Sequence, residues 1–394
     1  MLERRAAQGK EDRARLPERL GRAGQTRPEG RLVWIHGASV GEVLSVLPLV
    51  ARLLERRSDL SVLLTSGTVT SAQILAERLP PRALHQFVPI DLPAAVVRFL
   101  DHWRPDAAVW VESELWPNLI LDTAARGVPM ALVQGRMSAR SKRGWSRAPR
   151  TARRLLGAFR LCLAQSVADA DRFAALGAPA PRSVGNLKFA AQPLPVDEAE
   201  LARLRAAIGR RPVWIAASTH DPEEQAMAAA HRLLTARWPD LLTVVVPRHP
   251  ARGEAVAQLL GGAPLRSRGE TPGGCYVADT MGELGLFYRL AQVAFVGGSL
   301  IPHGGQNPLE PARLGLPVLH GPSMFNFTDA VEALAAVGAS RTVNDAAELA
   351  EAVAALLADA EGCRQRGAAA RKVADSGEEA LDAVAEALLP LIPA

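Results

Sequence analysis

Acidic side chains occupy two short segments that could supply a general base. Glu42 ends the segment His36–Glu42 (HGASVGE), and Glu112 and Glu114 begin ESELWPN; each segment directly follows an apolar run. Ser39 and Glu42 have the spacing of a helix capping box, in which the glutamate reaches back to the cap amide. Alternatively, Glu42 lies at the mouth of a cleft, where partial burial raises its pKa and makes it a usable base. Both roles stay open on spacing alone.

The pair Glu112 and Glu114 follows a run predicted to be a buried strand. Alternation along a strand would place both carboxylates on one face, and a buried strand rarely ends in two acids without a cation or donor nearby. One of the two could simply cap the next helix. We expect a functional role for at least one of them.

Two basic side chains are candidates for contact with a nucleotide: Lys188 could balance a leaving phosphate, and Arg248 could grip a nucleotide phosphate or base. Lys188 lies in GNLKF, in a chain with four lysines and 42 arginines, and Arg248 follows an apolar run within PRHP. A guanidinium can grip phosphate oxygens bidentately, and positive charge stabilises a departing phosphate. Lys188 could equally be an ordinary surface lysine.

The densest cluster of glycines begins at Gly297, Gly298 and Ser299 and leads to residues 307–310 (NPLE). Paired glycines after a strand allow close backbone approach, so we expect the first three residues to approach a phosphate. Residues 307–310 also fit a helix start, with Asn307 as the cap and Pro308 first in the helix. In the segment 217–224 (ASTHDPEE), hydroxyls could cap a helix or bind phosphate, and capping is favoured.

Short apolar runs alternate with helical stretches in both halves of the chain, which is typical of parallel sheets covered on both faces. The predicted strands are Leu32–Ile35, Ser61–Leu64, Ala107–Val111 and Pro129–Val133, then Pro212–Ala216, Leu242–Val246, Val293–Val296 and Pro317–Leu319. The sequence therefore predicts an α/β protein with two Rossmann-like doubly wound domains facing a cleft. The boundaries are residues 1–190, a linker at 191–196, residues 197–372 and a C-terminal helix at 373–394.

Composition excludes several classes of protein. The 394 residues are 48% apolar and 22% charged, which does not fit disorder or a coiled coil. Three scattered cysteines do not suit a disulfide scaffold or a zinc site, and no metal or cofactor is expected. No run of eighteen apolar residues and no export signal are present.

Charge is divided unequally along the chain. Residues 1–195 hold 29 Lys and Arg against 17 Asp and Glu, whereas residues 196–394 hold 17 against 24. Residues 136–160 contain nine basic residues and no acid. A solvated basic helix is one interpretation; nucleic acid, anionic lipid and a phosphorylated substrate are the others. The residues expected to meet an acceptor or a membrane are Arg136, Arg140, Lys142 and Arg143.

The loops, taken in order, resemble those of the bacterial 3-deoxy-D-manno-octulosonic acid (Kdo) transferases, which are inverting glycosyltransferases of the GT-B type. The resemblance extends from about Arg31 to Ile392 through GASVGE, ESELWPN, RMSARS, GNLKF, ASTH, VPRHP, DTMGEL, FVGGSL, GGQNPLEPA and GPSMFNF. It implies that Glu42 is the general base and that Glu112 and Lys188 stabilise the transition state. The CMP-binding residues that it implies are Pro247, Arg248, Met281, Gly282, Glu283, Asn307, Pro308, Leu309 and Glu310.

The resemblance also implies the substrates and the location. Such enzymes transfer Kdo from CMP-Kdo to the lipid A precursor lipid IVA at the cytoplasmic face of the inner membrane, in lipopolysaccharide core biosynthesis. The chain begins MLERRAAQGK, without the hydrophobic anchor that such enzymes often carry. We therefore expect peripheral adsorption to an anionic membrane, or an anchor outside this chain. The alternatives are a GT-B enzyme that uses a UDP-sugar and a basic nucleic-acid-binding protein; nucleic acid is not expected as a partner.

Overall fold

Apolar runs that are buried on both faces build two parallel sheets in this computed structural model, which describes residues 2–190 and 194–393. The first sheet has seven strands in the order β3-β2-β1-β4-β5-β6-β7, and every neighbouring pair is parallel. Its strands are β1 (Arg31–His36), β2 (Leu60–Ser66), β3 (Ala83–Phe87), β4 (Ala107–Val111), β5 (Met130–Gly135), β6 (Leu161–Ala164) and β7 (Arg182–Ser183).

Helices cover both faces of this sheet because alternate strand residues point to opposite sides. Val33 and Ile35 belong to one apolar core, and Leu32 and Trp34 belong to the other. The helices of this half are α1 (Leu2–Ala7), α2 (Leu16–Arg19), α3 (Val40–Arg56), α4 (Val69–Arg78), α5 (Pro93–Trp103), α6 (Pro117–Ala125), α7 (Ala139–Trp145), α8 (Pro149–Leu156) and α9 (Val167–Ala175).

The second sheet has six parallel strands in the order β10-β9-β8-β11-β12-β13. They are β8 (Val213–Thr219), β9 (Leu242–Pro247), β10 (Cys275–Val277), β11 (Val293–Val296), β12 (Val318–His320) and β13 (Ser340–Thr342). The helices are α10 (Glu198–Ile208), α11 (Glu223–Thr235), α12 (Gly253–Leu259), α13 (Leu284–Tyr288), α14 (Leu309–Arg313), α15 (Thr328–Ala336), α16 (Ala346–Ala358) and α17 (Ala360–Leu388). Two apolar cores lie on the two sides of this sheet as well.

Helix α17 belongs to both halves of the molecule. The first compact unit comprises residues 1–191 together with 376–394, and the second comprises residues 192–375. Ala380, Leu381 and Val384 of α17 are buried in the first core. Arg52 of α3 forms ion pairs with Glu378 and Asp382. The helix begins at Ala360, whereas the sequence predicted a separate helix at 373–394.

The prediction of two doubly wound parallel sheets is confirmed, and each of the eight predicted strands lies within or overlaps an observed strand. Five strands that are short or have mixed polarity were not predicted: β3, β6, β7, β10 and β13. Of the predicted linker, residues 191–193 lie outside the described residues, and residues 194–196 form neither helix nor strand. In the described part of the chain, no helix combines the length and hydrophobicity needed to cross a bilayer.

Candidate functional site

Glu42 lies at the carboxyl end of β1, where the chain turns into α3. Ser39 is the N-cap, and its Oγ accepts a hydrogen bond from the Glu42 amide at 3.3 Å. The Glu42 carboxylate accepts hydrogen bonds from the Ser39 hydroxyl at 2.6 Å and from the Ala38 amide at 2.8 Å. A capping arrangement is therefore present, although the glutamate reaches the amide of Ala38 rather than that of the cap residue.

The surroundings of the Glu42 side chain also raise the pKa of its carboxyl. Glu42 is only 6% exposed, and burial raises the pKa of its carboxyl; the charges of Glu112 and Glu114 raise it further, against the hydrogen bonds from Ser39 and Ala38. Burial favours the neutral form of a carboxyl, and nearby negative charges act in the same direction. Helix capping alone does not need a raised pKa.

Glu112 follows β4 with a left-handed backbone, φ 59°, which is uncommon for a residue with a Cβ. Strand alternation therefore stops at Val111, and the expectation that Glu112 and Glu114 share a strand face is wrong. Glu112 Oε1 accepts a hydrogen bond from Lys188 Nζ at 2.8 Å. Glu114 accepts one from the Trp116 indole at 2.8 Å. Strained backbone of this kind is frequent at functional sites.

A polar network that was not predicted from the sequence holds the turn that carries Lys188. This turn is the 3-10 helix Leu187–Phe189. Buried Gln134, at the end of β5 with φ 55°, accepts a hydrogen bond from the Leu187 amide at 2.9 Å and donates one to the Asn186 side chain. Asn186 Oδ1 also accepts from the Lys188 amide at 2.9 Å. The signal in the sequence was a glutamine directly after the apolar residues of ALVQG.

In the second unit, Arg248 and Glu310 lie at the carboxyl edge of the sheet. Arg248 follows β9 and is exposed, and its amide donates to the Thr219 carbonyl at 2.9 Å. Burial raises the pKa of Glu310, while the Asn307 amide and the positive charge of Arg248 act against that rise. Helix α14 begins at Leu309, one residue later than expected, and the Leu309 amide donates to Asn307 Oδ1 at 3.0 Å.

Residues 281–283 follow β10, the neighbour of β9 at the same carboxyl edge. Met281 is 74% exposed and Gly282 has φ 84°. Glu283 forms a bidentate ion pair with Arg266, with contacts of 2.6 and 3.0 Å. The Arg266 guanidinium lowers the pKa of Glu283. The candidate CMP residues therefore come from loops after β9, β10 and β11, all at one edge of the sheet.

A carboxylate of the protein itself binds the backbone amides of the glycine-rich loop. Glu223, 2% exposed, accepts hydrogen bonds from the amides of Gly298 at 2.6 Å, Ser299 at 2.9 Å and Leu300 at 2.8 Å. The Gly297 amide donates to the Ala217 carbonyl at 2.8 Å. The expectation that Gly297, Gly298 and Ser299 approach a phosphate is therefore corrected, because their amides already have partners.

The segment 217–224 also differs from the sequence prediction. Helix α11 begins at Glu223, and the N-cap position is Pro222, without a side-chain cap hydrogen bond. The hydroxyls favoured as caps therefore do not cap this helix, and Ser218 has a left-handed backbone with φ 57°. The His220 amide donates to Glu223 at 3.1 Å, so this segment is tied to the glycine-rich loop through one carboxylate.

The basic segment 136–160 forms α7 and α8. Ala152, Leu155 and Leu156 are buried, whereas the arginines of these helices are exposed. Arg136, Arg140 and Arg143 are exposed and Lys142 is half-buried. Helix α8 is therefore amphipathic, whereas α7 has no buried residue, and both helices present positive charge outward.

Comparison with known proteins gives the same architecture. A UDP-GlcNAc 2-epimerase structure from Neisseria meningitidis aligns with a TM-score of 0.54, covering 91% of this chain and 100% of that chain at 13% identity. That likeness concerns the fold. Two parallel α/β domains of this kind make up the GT-B architecture.

Sequence relatives identify the branch. Residues 14–191 match the family model described as 3-deoxy-D-manno-octulosonic-acid transferase (kdotransferase). The 3-deoxy-D-manno-octulosonic acid transferase of Haemophilus influenzae is 36% identical, covering 96% of this chain and 92% of the relative. That of Bordetella pertussis is 38% identical, covering 87% and 84%. The chain belongs to the Kdo transferase family and acts in lipopolysaccharide biosynthesis.

Proposed function

We propose that this enzyme transfers Kdo from CMP-Kdo to a hydroxyl of a lipid A precursor, lipid IVA, with inversion at the anomeric carbon. Glu42 accepts the proton of the acceptor hydroxyl, and Lys188 and Glu112 stabilise the transition state. The observation that carries this proposal is the buried Glu42 carboxyl, whose pKa is raised at the edge where Glu112 and Lys188 also lie. A base with a pKa closer to neutrality takes a proton more effectively.

The capping contacts of Glu42 are compatible with a role as base. An ionised carboxylate offers about four lone-pair positions, and donors from Ala38 and Ser39 use two of them. Both donors fix the side chain in one orientation, which a base needs if it is to meet the acceptor hydroxyl at hydrogen-bond distance. The capping residues thus position the base.

Lys188 supplies positive charge at the same edge as the base. Its pairing with Glu112 fixes the ammonium, and the Gln134 network fixes the backbone beneath it. A preorganised charge stabilises developing negative charge without reorganising during the reaction. The residues Glu112 and Lys188 therefore act as a fixed pair.

The second unit binds the CMP portion of the donor. Arg248, next to Pro247, binds the phosphate, and the Glu310 carboxyl accepts a hydrogen bond from the nucleotide. The remaining contacts come from the loops after β10 and β11, through Met281, Gly282, Glu283, Asn307, Pro308 and Leu309.

The acceptor and the membrane meet the basic surface of the first unit. Arg136, Arg140, Lys142 and Arg143 suit both the phosphates of the acceptor and an anionic inner-membrane leaflet, on the cytoplasmic face. Exposed Trp116 follows β4 at the carboxyl edge, where α7 also starts after β5. Tryptophan favours the membrane interface.

The membrane contact is tested with vesicles containing anionic lipid at low salt. Replacing Arg140 and Arg143 by serine should weaken association roughly 30-fold, at about 1 kcal/mol for each charge. The matched control replaces exposed Arg205 and Arg210 of the second unit. Equal losses in both double variants would contradict a specific basic surface.

The test of the reaction is Glu42→Gln, assayed with CMP-Kdo and tetraacylated lipid A precursor by mass spectrometry of the lipid. Glutamine serves in a capping box as glutamate does, so the variant should fold normally and bind CMP while transfer falls by at least 100-fold. Glu55→Gln, on the exposed face of the same helix, is the matched control. Wild-type turnover by Glu42→Gln would overturn the assignment of the base.

A further inference from the structure

Three histidines meet at the carboxyl edge of the second sheet. His220 follows β8, His249 follows β9, and His303 lies in the loop after β11. These strands are adjacent, with β8 in the middle. The ring centroids of His220 and His303 are 4.4 Å apart, and those of His220 and His249 are 6.1 Å apart. Each imidazole therefore comes from a different strand-end loop.

Basic side chains from two neighbouring loops surround His220. Arg248 and His249 face it from the loop after β9, and His303 faces it from the loop after β11. Burial lowers the pKa of His220, and the charges of His303, His249 and Arg248 lower it further, whereas Glu223 acts in the opposite direction. The neighbours therefore favour neutral imidazole.

The carboxylate of Glu223, which acts on His220, already has hydrogen-bond partners. The Glu223 carboxylate accepts hydrogen bonds from four backbone amides, those of residues 220 and 298–300. Among the described residues, Arg248 forms no ion pair. Nor do the described residues contain a group of three or more His, Cys, Asp and Glu side chains arranged to hold a metal ion. Glu310 acts on Arg248 and Glu223 acts on His220 only through their charge. No carboxylate of the described residues forms an ion pair with Arg248 or with the three histidines.

We propose that His220, His249 and His303, together with Arg248, form a proton-linked binding site for an anionic group of the donor. This inference rests on the proposed function, because it assigns the cluster to the same CMP-Kdo. The shared chemistry is a negatively charged oxygen group, either the nucleotide phosphate or the carboxylate of the sugar acid. The site takes up a proton when the anion binds, because imidazolium donates a stronger, charge-assisted hydrogen bond.

The linkage has a definite sign. In the free protein the neighbouring positive charges disfavour imidazolium, and a bound anion removes that penalty and raises the pKa of His220. Anion binding therefore pulls protons from solvent at pH 7, and affinity increases as the pH falls. The donor is bound more tightly under mildly acidic conditions, and the leaving CMP is released more readily at higher pH.

The test is titration calorimetry at pH 7 in two buffers of different ionisation enthalpy, with CMP, free Kdo and cytidine as probes. Wild-type protein should take up protons with an anionic probe and not with cytidine. The variant His220→Gln with His303→Gln should lose the uptake and bind at least about tenfold more weakly at pH 6. His102→Gln in the first unit is the control. Because CMP phosphate itself titrates near pH 6, each probe is compared between wild type and variant.

The outcomes separate this inference from the function on which it rests. Uptake with CMP assigns the cluster to the phosphate, and uptake with free Kdo assigns it to the carboxylate. CMP binding without proton uptake from either anion, or uptake that persists in the double variant, overturns the inference alone. Failure of wild-type protein to bind CMP at pH 6 and pH 8 overturns the proposed donor as well. Thermal unfolding of each variant verifies that its fold is intact.

Discussion

Replacing Glu223 by glutamine should destabilise the second unit more than its modest change in shape suggests. Both carboxylate oxygens accept two amide hydrogen bonds, Oε2 from residues 220 and 298 and Oε1 from residues 299 and 300. Glutamine keeps one oxygen and turns the other into an NH2 group, which faces two N–H donors. Two hydrogen bonds to a charged group are lost, each worth about 1.5–3 kcal/mol.

The expected loss in the free energy of unfolding is about 3–5 kcal/mol, as for a buried charge network with one partner removed. For a unit of this size that lowers the midpoint of thermal unfolding by roughly 6–20 °C. Urea unfolding followed by circular dichroism measures the free energy of unfolding. Glu254→Gln, at the exposed ion pair with Arg268, is the matched control and should change stability by less than about 1 kcal/mol.

A loss below about 1 kcal/mol in Glu223→Gln would refute the reasoning, because it would mean that the four amides do not depend on the carboxylate. The variant should also bind CMP more weakly, since the carboxylate joins the segment that holds His220 to the loop that leads to His303. Weak CMP binding with unchanged stability would point to direct contact of Glu223 with the ligand instead.

Three further outcomes follow from the site. Ser39→Ala removes a hydrogen bond that lowers the pKa of Glu42, so the ascending limb of the kcat/KM–pH profile should move to higher pH; an unmoved limb would argue against Glu42 as base. Gln134→Leu should lower kcat for Kdo transfer about tenfold and leave the Kd for CMP unchanged, since the turn carrying Lys188 loses its support; weaker CMP binding would indicate general unfolding. Arg248→Ala should raise the Kd for CMP at least about tenfold in calorimetry, and an unchanged Kd would remove Arg248 from the phosphate site.

The sequence predicted the strands well where burial on both faces makes them continuously apolar. Val33 and Trp34 of β1 show this pattern, because each faces a different core. Edge strands such as β7 have two exposed residues and leave no such signal. The left-handed backbone of Glu112 was also invisible, since alternation assumes a regular strand.

Hydrogen-bond partners that are distant in the chain could not be predicted from the sequence either. Glu223 lies in the segment 217–224, yet three of the four amides that it binds are about 75 positions further along the chain. The glycines at 297 and 298 suggested a phosphate, and the actual anion is a side chain of the same protein. The spacing of the glycines indicates that the backbone amides of this loop bind an anion. It does not identify that anion.

The course of helix α17 affects how the protein can be synthesised. Residues from Ala380 to Leu388 fill part of the first unit's interior beside β1 and α3. When residues 1–191 have been synthesised, the hydrophobic core of the first unit is therefore still incomplete. It is completed only after about two hundred more residues have been made. Expression of the amino-terminal half alone should yield aggregated material, and a separate peptide spanning residues 376–394 should rescue its solubility in trans.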